Sequence, residues 1–209
     1  SSSAASDVYK RQEYKTDAVG NVLMSVPATP GYENAERVIL QGHMDMVCES
    51  NHKGFDFENT PITTIVDGEW VRADGTTLGA DNGIGVAASL AALIDKDYIH
   101  GPVDALFTVD EETGMTGANN IGDGMIRGKI LLNLDSEDDA EIFIGCAGGV
   151  DTTAVFTYNR SYAPKDFLYF RISVEKGQGG HSGGDIHLGR ANANKLIARF
   201  LFGLMKKYE

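Results

Sequence analysis

The chain has 209 residues, of which 42% are hydrophobic and 23% charged, the proportions of a globular protein long enough to bury a core. A formal net charge of −12 excludes nucleic acid and anionic membrane surfaces as partners, because both need a basic footprint. The two cysteines, Cys48 and Cys146, lie far apart and outside any C-x-x-C pair, so no disulfide framework is expected and a reducing compartment is the default; no apolar run approaches membrane-spanning length.

The first segment, SSSAASDVYKRQ (1–12), lacks the apolar core of a signal peptide and has no periodicity, and reads as a non-native leader. From there to residue 149 the strand signals are continuous apolar runs: VILQ (38–41), ALFTV (105–109) and KILLNL (129–134). Such runs suit parallel strands buried on both faces. Between the first two lies NGIGVAASLAALI (82–94), a helix-length stretch with Asp81 placed as its N-cap. Strand, helix and strand at this spacing predict an α/β fold with a mostly parallel sheet. ITTIVDGEWVRA (62–73) interrupts it as a hairpin with Asp67-Gly68 at the turn.

After about residue 150 the texture changes. FLYFRISV (167–174) alternates strictly, with Leu168, Phe170, Ile172 and Val174 on one face, as in a sheet covered on one side. ANANKLIARFLFGL then sets Leu196, Ile197, Phe200, Leu201 and Leu204 on one helical stripe. Residues 13–149 are therefore read as one domain and 150–209 as the start of a second, of α+β type. The helical pattern runs to the last residues without a cap, so the chain reads as a fragment.

Chemistry-bearing side chains gather where the strands end. The first strand leads into GHMDMV, with His43 and Asp45 two residues apart and so on one side. Asp81 stands at the mouth of the helix. The next strand leads into DEETG, with Glu111 and Glu112, and the last into NLDSEDD, with Asp135. Ligands of open α/β sheets bind beyond the carboxyl ends of the strands. Each residue alone has an ordinary reading: a satisfied histidine, a capping aspartate, a solvated acidic pair, a solvated loop. Four separate element ends that each offer a ligand-type residue point instead to a divalent metal site. One imidazole among several carboxylates suits zinc or a similar ion, and a bridging carboxylate allows two ions.

The runs VILQGHMDMV, TTLGADNGIGVAASLAAL, DEETGMTGA, NLDSEDDAEIFIGCAGG and GGHSGGDIHLGRANANKLIARF resemble the M20 family of di-zinc metallopeptidases, most closely its bacterial aminoacyl-histidine dipeptidase branch. The resemblance covers residues 13–209. It implies an incomplete catalytic domain followed by the start of a lid domain. It also implies hydrolysis of dipeptides, Xaa-His among them, by a zinc-activated water, with two Zn2+ (or Co2+ or Mn2+) per subunit. Asp81 would bridge the ions, His43 and Asp135 would complete one, and Glu112 would bind the other. Glu111 would be the general base, and Asp45 would hydrogen-bond to His43 and fix its tautomer. The partners implied are small peptide substrates and a second copy, joined through the lid, in the cytoplasm. A tripeptidase, carboxypeptidase or N-acyl-amino-acid deacylase would share the same metal chemistry.

The family pattern has a further histidine on the ion held by Glu112, and this chain offers no match. His52 and His100 stand in the wrong places, and His187 belongs to the second domain. The chain alone is therefore expected to bind metal poorly and to be inactive.

GGHSGG (179–184) also fits the G-x-S-x-G pattern of a serine nucleophile. That elbow needs a strand running into the serine and a helix directly after it. Here the helical stripe starts only near residue 192, which argues against Ser182. The resemblance assigns the loop's role to His181, which would bind substrate and stabilise the oxyanion. A metal-free binding protein of the same fold would be expected to lack Glu111, which is present.

Overall fold

The structure is a computed structural model that describes residues 13–136, 140–146, 148, 150, 152–180 and 185–208. It divides between Glu141 and Ile142 into two compact units.

The first unit is built on a five-stranded sheet. Its strands are β1 (Glu13–Thr16), β2 (Val22–Val26), β3 (Val38–His43), β6 (Val103–Thr108) and β7 (Ile130–Asn133), in the order β1-β2-β6-β3-β7. β3 runs parallel to both β6 and β7, while β1 and β2 add antiparallel to the free side of β6. The α/β architecture stands, with β3 and β6 as its parallel centre; β7, expected to be buried on both faces, is instead a parallel edge strand whose four residues are exposed, because no described strand pairs with its outer side. The hairpin of β1 and β2 was not legible as strands: β1 is the polar, exposed stretch EYKT, which carries no apolar signal. A separate two-stranded hairpin joins β4 (Thr64–Asp67) to β5 (Trp70–Ala73). Its two-residue loop is Gly68-Glu69, one residue later than the sequence suggests, because Asp67 already pairs with Trp70. Gly68 supplies the positive φ of 64° that such a short loop needs.

Side chains of the central strands alternate between two cores. Val103, Ala105 and Phe107 of β6 pack with Leu40 of β3 and with Val86, Leu90 and Leu93 of helix α1 (Ala80–Ile94). On the other face Leu106 joins Leu23, Ile39 and Met125. Asp104 lies on that second face and is fully buried at 0% exposure. It is compensated there by the guanidinium groups of Arg37 and Arg127 at 2.5 and 2.8 Å.

α1 does not begin as expected. Its N-cap is Gly79, in the left-handed region, and Asp81 and Asn82 depart from helical geometry inside the first turn. Asp81 makes no cap; its carboxylate turns to His43. Two short helices follow β6, α2 (Glu111–Gly114) and α3 (Thr116–Asn119).

In the second unit the described residues form a single 3-10 turn, Ile186–Leu188, and helix α4 (Ala193–Tyr208). Asn192 starts α4, its side-chain oxygen accepting the Lys195 amide at 2.9 Å. The expected strand at 167–174 is absent: these residues are irregular and exposed. An alternating pattern becomes a strand only beside a partner that completes its hydrogen bonds, and no described segment of this unit supplies one.

Removing one partner of a buried charge cluster costs several kcal/mol, reduced where the other partners can reach water. Arg37 and Arg127 are partly exposed, so Asp104→Ala is expected to cost about 2–3 kcal/mol. Urea denaturation checks this; an unchanged midpoint would put these pairs on a level with ordinary surface ion pairs.

Candidate metal centre

His43 is the buried centre of the site, 2% exposed at the end of β3. Its Nδ1 lies 2.9 Å from the main-chain oxygen of Asp45. A carbonyl can only accept, so Nδ1 carries the hydrogen, and Nε2 of the neutral ring is left with its lone pair. That Nε2 lies 2.9 Å from Asp81 Oδ1 and 3.7 Å from Asp135 Oδ1.

Two groups of side chains can each bring three ligand atoms together: His43 with Asp81 and Asp135, and His43 with Glu111 and Glu112. All five side chains belong to residues singled out in the sequence, and all stand at the carboxyl ends of β3, β6 and β7 or at the start of α1. A cavity of about 320 Å³ adjoins Asp81 and Glu112, lined by Met46, Val47 and Leu78. Another of about 230 Å³ adjoins Glu111 and Asp135.

Asp45 does more than face the histidine. Its carboxylate stands 3.4 Å from Nδ1, while its two oxygens accept the backbone amides of Glu111 and Glu112, each at 3.1 Å. Its effect is to tie the end of β3 to the turn that carries both glutamates.

Asn82, which the sequence shows only as the first residue of the helix-length run 82–94, also contributes. It is 5% exposed, and its Nδ2 donates to the Leu134 carbonyl at 2.7 Å, next to Asp135. Its Oδ1 fills space that a Cβ on Gly42 or Gly85 would occupy, at 2.3 and 2.5 Å. The signal was present as a glycine directly before His43 and another inside the helix. A second relay crosses the strand ends: Thr108 receives a bond from Gln41, Gln41 one from Asn133, and Asn133 one from the Asp135 amide.

His52 and His100 do not reach the site. His52 binds the Asp74 carbonyl and His100 the Gly101 carbonyl, while His187 lies in the second unit. His181 and Ser182 lie outside the described residues. Beside them, a Cβ on Gly180 would meet the side chains of Arg190 and Asp185.

The profile of Peptidase family M20/M25/M40 matches residues 39–181, which span every residue of this cluster. The chain belongs to that family. It is 50% identical over 188 residues to the cytosol non-specific dipeptidase of Escherichia coli K12, covering 90% of this chain and 39% of the relative. It also superposes on the crystal structure of aminoacylhistidine dipeptidase from Vibrio alginolyticus with a TM-score of 0.66 and 45% identity, over 97% of this chain and 42% of that one. Aminopeptidase PepT from Bacillus cereus, at 24% identity and a TM-score of 0.52, covers 66% of this chain and 38% of its own and shows the shared fold alone. The chain thus spans about two fifths of the length of the two dipeptidases.

The electrostatics of this M20 cluster fit a divalent cation. Burial pushes the Asp135 carboxyl up, as do its hydrogen bond with Asp81 and the charges of Asp81 and Glu111, to about 6. Burial and the charges of Asp81 and Glu111 also raise Glu112. Burial opposes a charge on His43, but the Asp81 hydrogen bond and the charges of Asp135, Asp81 and Asp45 outweigh it and hold the imidazolium above its ordinary range. Burial likewise opposes ionisation of Asp45, yet the amides of Glu111 and Glu112 bring it below the usual carboxylate range. One raised carboxyl beside another, around a single imidazole, is an oxygen-and-nitrogen donor set that a dication relieves.

Both Asp135 and His43 must lose a proton before they can ligate. Their raised values mean that the metal-free centre holds those protons to higher pH than isolated side chains would. Binding of a divalent metal at this centre is therefore expected to release protons and to weaken as pH falls through about 6. Calorimetry in buffers of different ionisation enthalpy measures the release; binding that is independent of pH between 5 and 7 would contradict it.

Proposed function

We propose that the full-length protein containing this chain is a cytoplasmic metallopeptidase that hydrolyses dipeptides, Xaa-His among them. The observation that carries this reading is the convergence of Asp81, Asp135, Glu111 and Glu112 on one buried histidine, His43. The names of two relatives at 45–50% identity supply the substrate class.

In this reading Asp81 would be shared between two zinc ions, His43 and Asp135 would hold one of them with it, and Glu112 would hold the other. Bound there, zinc supplies Lewis-acid polarisation of the scissile carbonyl and lowers the pKa of water. Glu111 stands beside these ligands without being needed by them. It accepts the proton of the attacking water and delivers it to the departing amine as the C–N bond breaks. Asp45 fixes the tautomer of His43 through its main-chain oxygen and fixes Glu111 through the amide bond, so acid–base group and ligand are held by one residue. His181 serves substrate and oxyanion from the lid, residues 150–209 begin that lid, and two copies pair through it.

Chelation of the full-length protein is expected to abolish release of histidine from Xaa-His dipeptides, and added zinc to restore it. Glu111→Gln is expected to lower kcat by about 10²–10⁴-fold with zinc content unchanged, as checked by metal analysis of the purified variant. The 209-residue chain alone should bind zinc weakly and show no turnover, since it offers no match for the further histidine of the family pattern. His181→Ala should cut turnover and keep zinc, whereas Ser182→Ala should remain active. Inhibition by a serine-directed reagent, with no effect of chelator, would reverse the assignment.

A further inference from the structure

We infer that Asn21, together with Asp17, is a positioning residue for the Glu111–Glu112 turn; the inference rests on the role proposed above for Glu111. Asn21 lies in the β1–β2 connection, before the segment matched by the family profile. It is fully buried at 0% exposure, and each polar atom of its side chain is used. Oδ1 accepts the Val109 amide at 3.2 Å. Nδ2 donates to the Gly117 carbonyl at 2.9 Å and to Asp17 Oδ2 at 2.8 Å. Asp17 accepts in turn the amides of Val19, Gly20 and Asn21, and that of Gly122 at 3.0 Å.

Val109 and Gly117 are the two ends of the segment that carries both glutamates, and the Gly117 amide closes it on the Val109 carbonyl at 3.0 Å. The approach needs glycine, because a Cβ on Gly117 would lie 2.4 Å from Asn21 Oδ1 and 2.5 Å from the Val109 oxygen. Inside the segment, Asp110 and Met115 hold φ of 58° and 55°, a region that non-glycine residues enter only at a cost of about 1 kcal/mol or more. A loop with two such residues keeps its shape when its surroundings impose it. Asp45 imposes it from β3, through the amides of Glu111 and Glu112. Asn21 imposes it from the opposite side, at the base. Neither Asn21 nor Gly117 is among the ligand-type residues, so their effect reaches catalysis only through where the turn sets Glu111 and Glu112.

The test uses the full-length protein with Asn21→Ala and, independently, Gly117→Ala, which wedges the same contact from the other side. Misplacing a catalytic group by about 1 Å can cost up to 10²-fold in rate. Each variant should therefore lower kcat on an Xaa-His dipeptide at least tenfold and leave KM within about twofold. Hydrogen exchange should quicken in the peptide covering 109–117 while β3 and β6 stay protected. Wild-type kcat in folded variants overturns the inference. So do failure of both variants to fold, faster exchange spread evenly over the chain, or a loss of activity that follows the folded fraction; each makes the contact a stability element only. If wild type itself hydrolyses no dipeptide, the functional reading fails instead, and the exchange measurement still reports whether Asn21 holds the turn.

Discussion

The parallel pairing of β3 with β6 is the constraint on which the site depends. Val38 pairs with Val103 and the register continues to His43 opposite Thr108, so the two strands end level. The Met44 amide then bonds to the Thr108 carbonyl at 2.9 Å, and this last rung carries Asp45 to the amides of Glu111 and Glu112. A slip of one residue would turn every β3 side chain to the opposite face. His43 would leave the carboxylates, and Leu40 and Ile39 would exchange cores. Hydrophobic alternation on two faces therefore fixes the address of the imidazole as firmly as any polar contact near it.

Around that imidazole the packing works against the charges. Burial and the neighbouring acidic side chains raise the Asp135 and Glu112 carboxyls. The fold holds them together because the energy comes from elsewhere: apolar cores lie on both faces of the sheet, and hydrogen bonds grip the backbone rather than the carboxylates. Asp45 holds amides, Asn82 holds the Leu134 carbonyl, and Asn21 holds Val109 and Gly117. Main-chain fastening sets the acidic side chains in place without occupying their oxygens, apart from the contacts Asp81 makes with His43 and Asp135.

What could be read from the sequence follows from the range of the interactions. The strands β3, β6 and β7 and the helix α1 announce themselves through continuous apolar or Ala/Leu-rich runs. The ligand-type residues were legible because they sit directly where those runs stop. Interactions that join distant segments were not. Nothing local says that Asp45 will accept amides 66 and 67 residues away, or that Asn21 will meet Val109 across 88. Asp81 looked like a cap because caps and ligands share a residue type and a position; only the arrival of His43 separates the two. At 167–174 the pattern was right for a strand, but a strand is a property of a pair.

The excursion between Asp45 and Asp81 has a narrow neck. Ser50 bridges Thr76, the Asn51 amide bonds to the Gly75 carbonyl, and the Thr77 amide bonds to the Glu49 carbonyl, at 2.8 and 2.9 Å. Everything between, including the β4–β5 hairpin with Trp70 77% exposed, hangs beyond that closure. Lengthening a closed loop adds only about 0.6 kcal/mol per doubling. The neck thus uncouples the size of the excursion from the spacing of the two aspartates, and makes this segment a place where insertions and deletions can accumulate over evolution without disturbing the geometry beneath it.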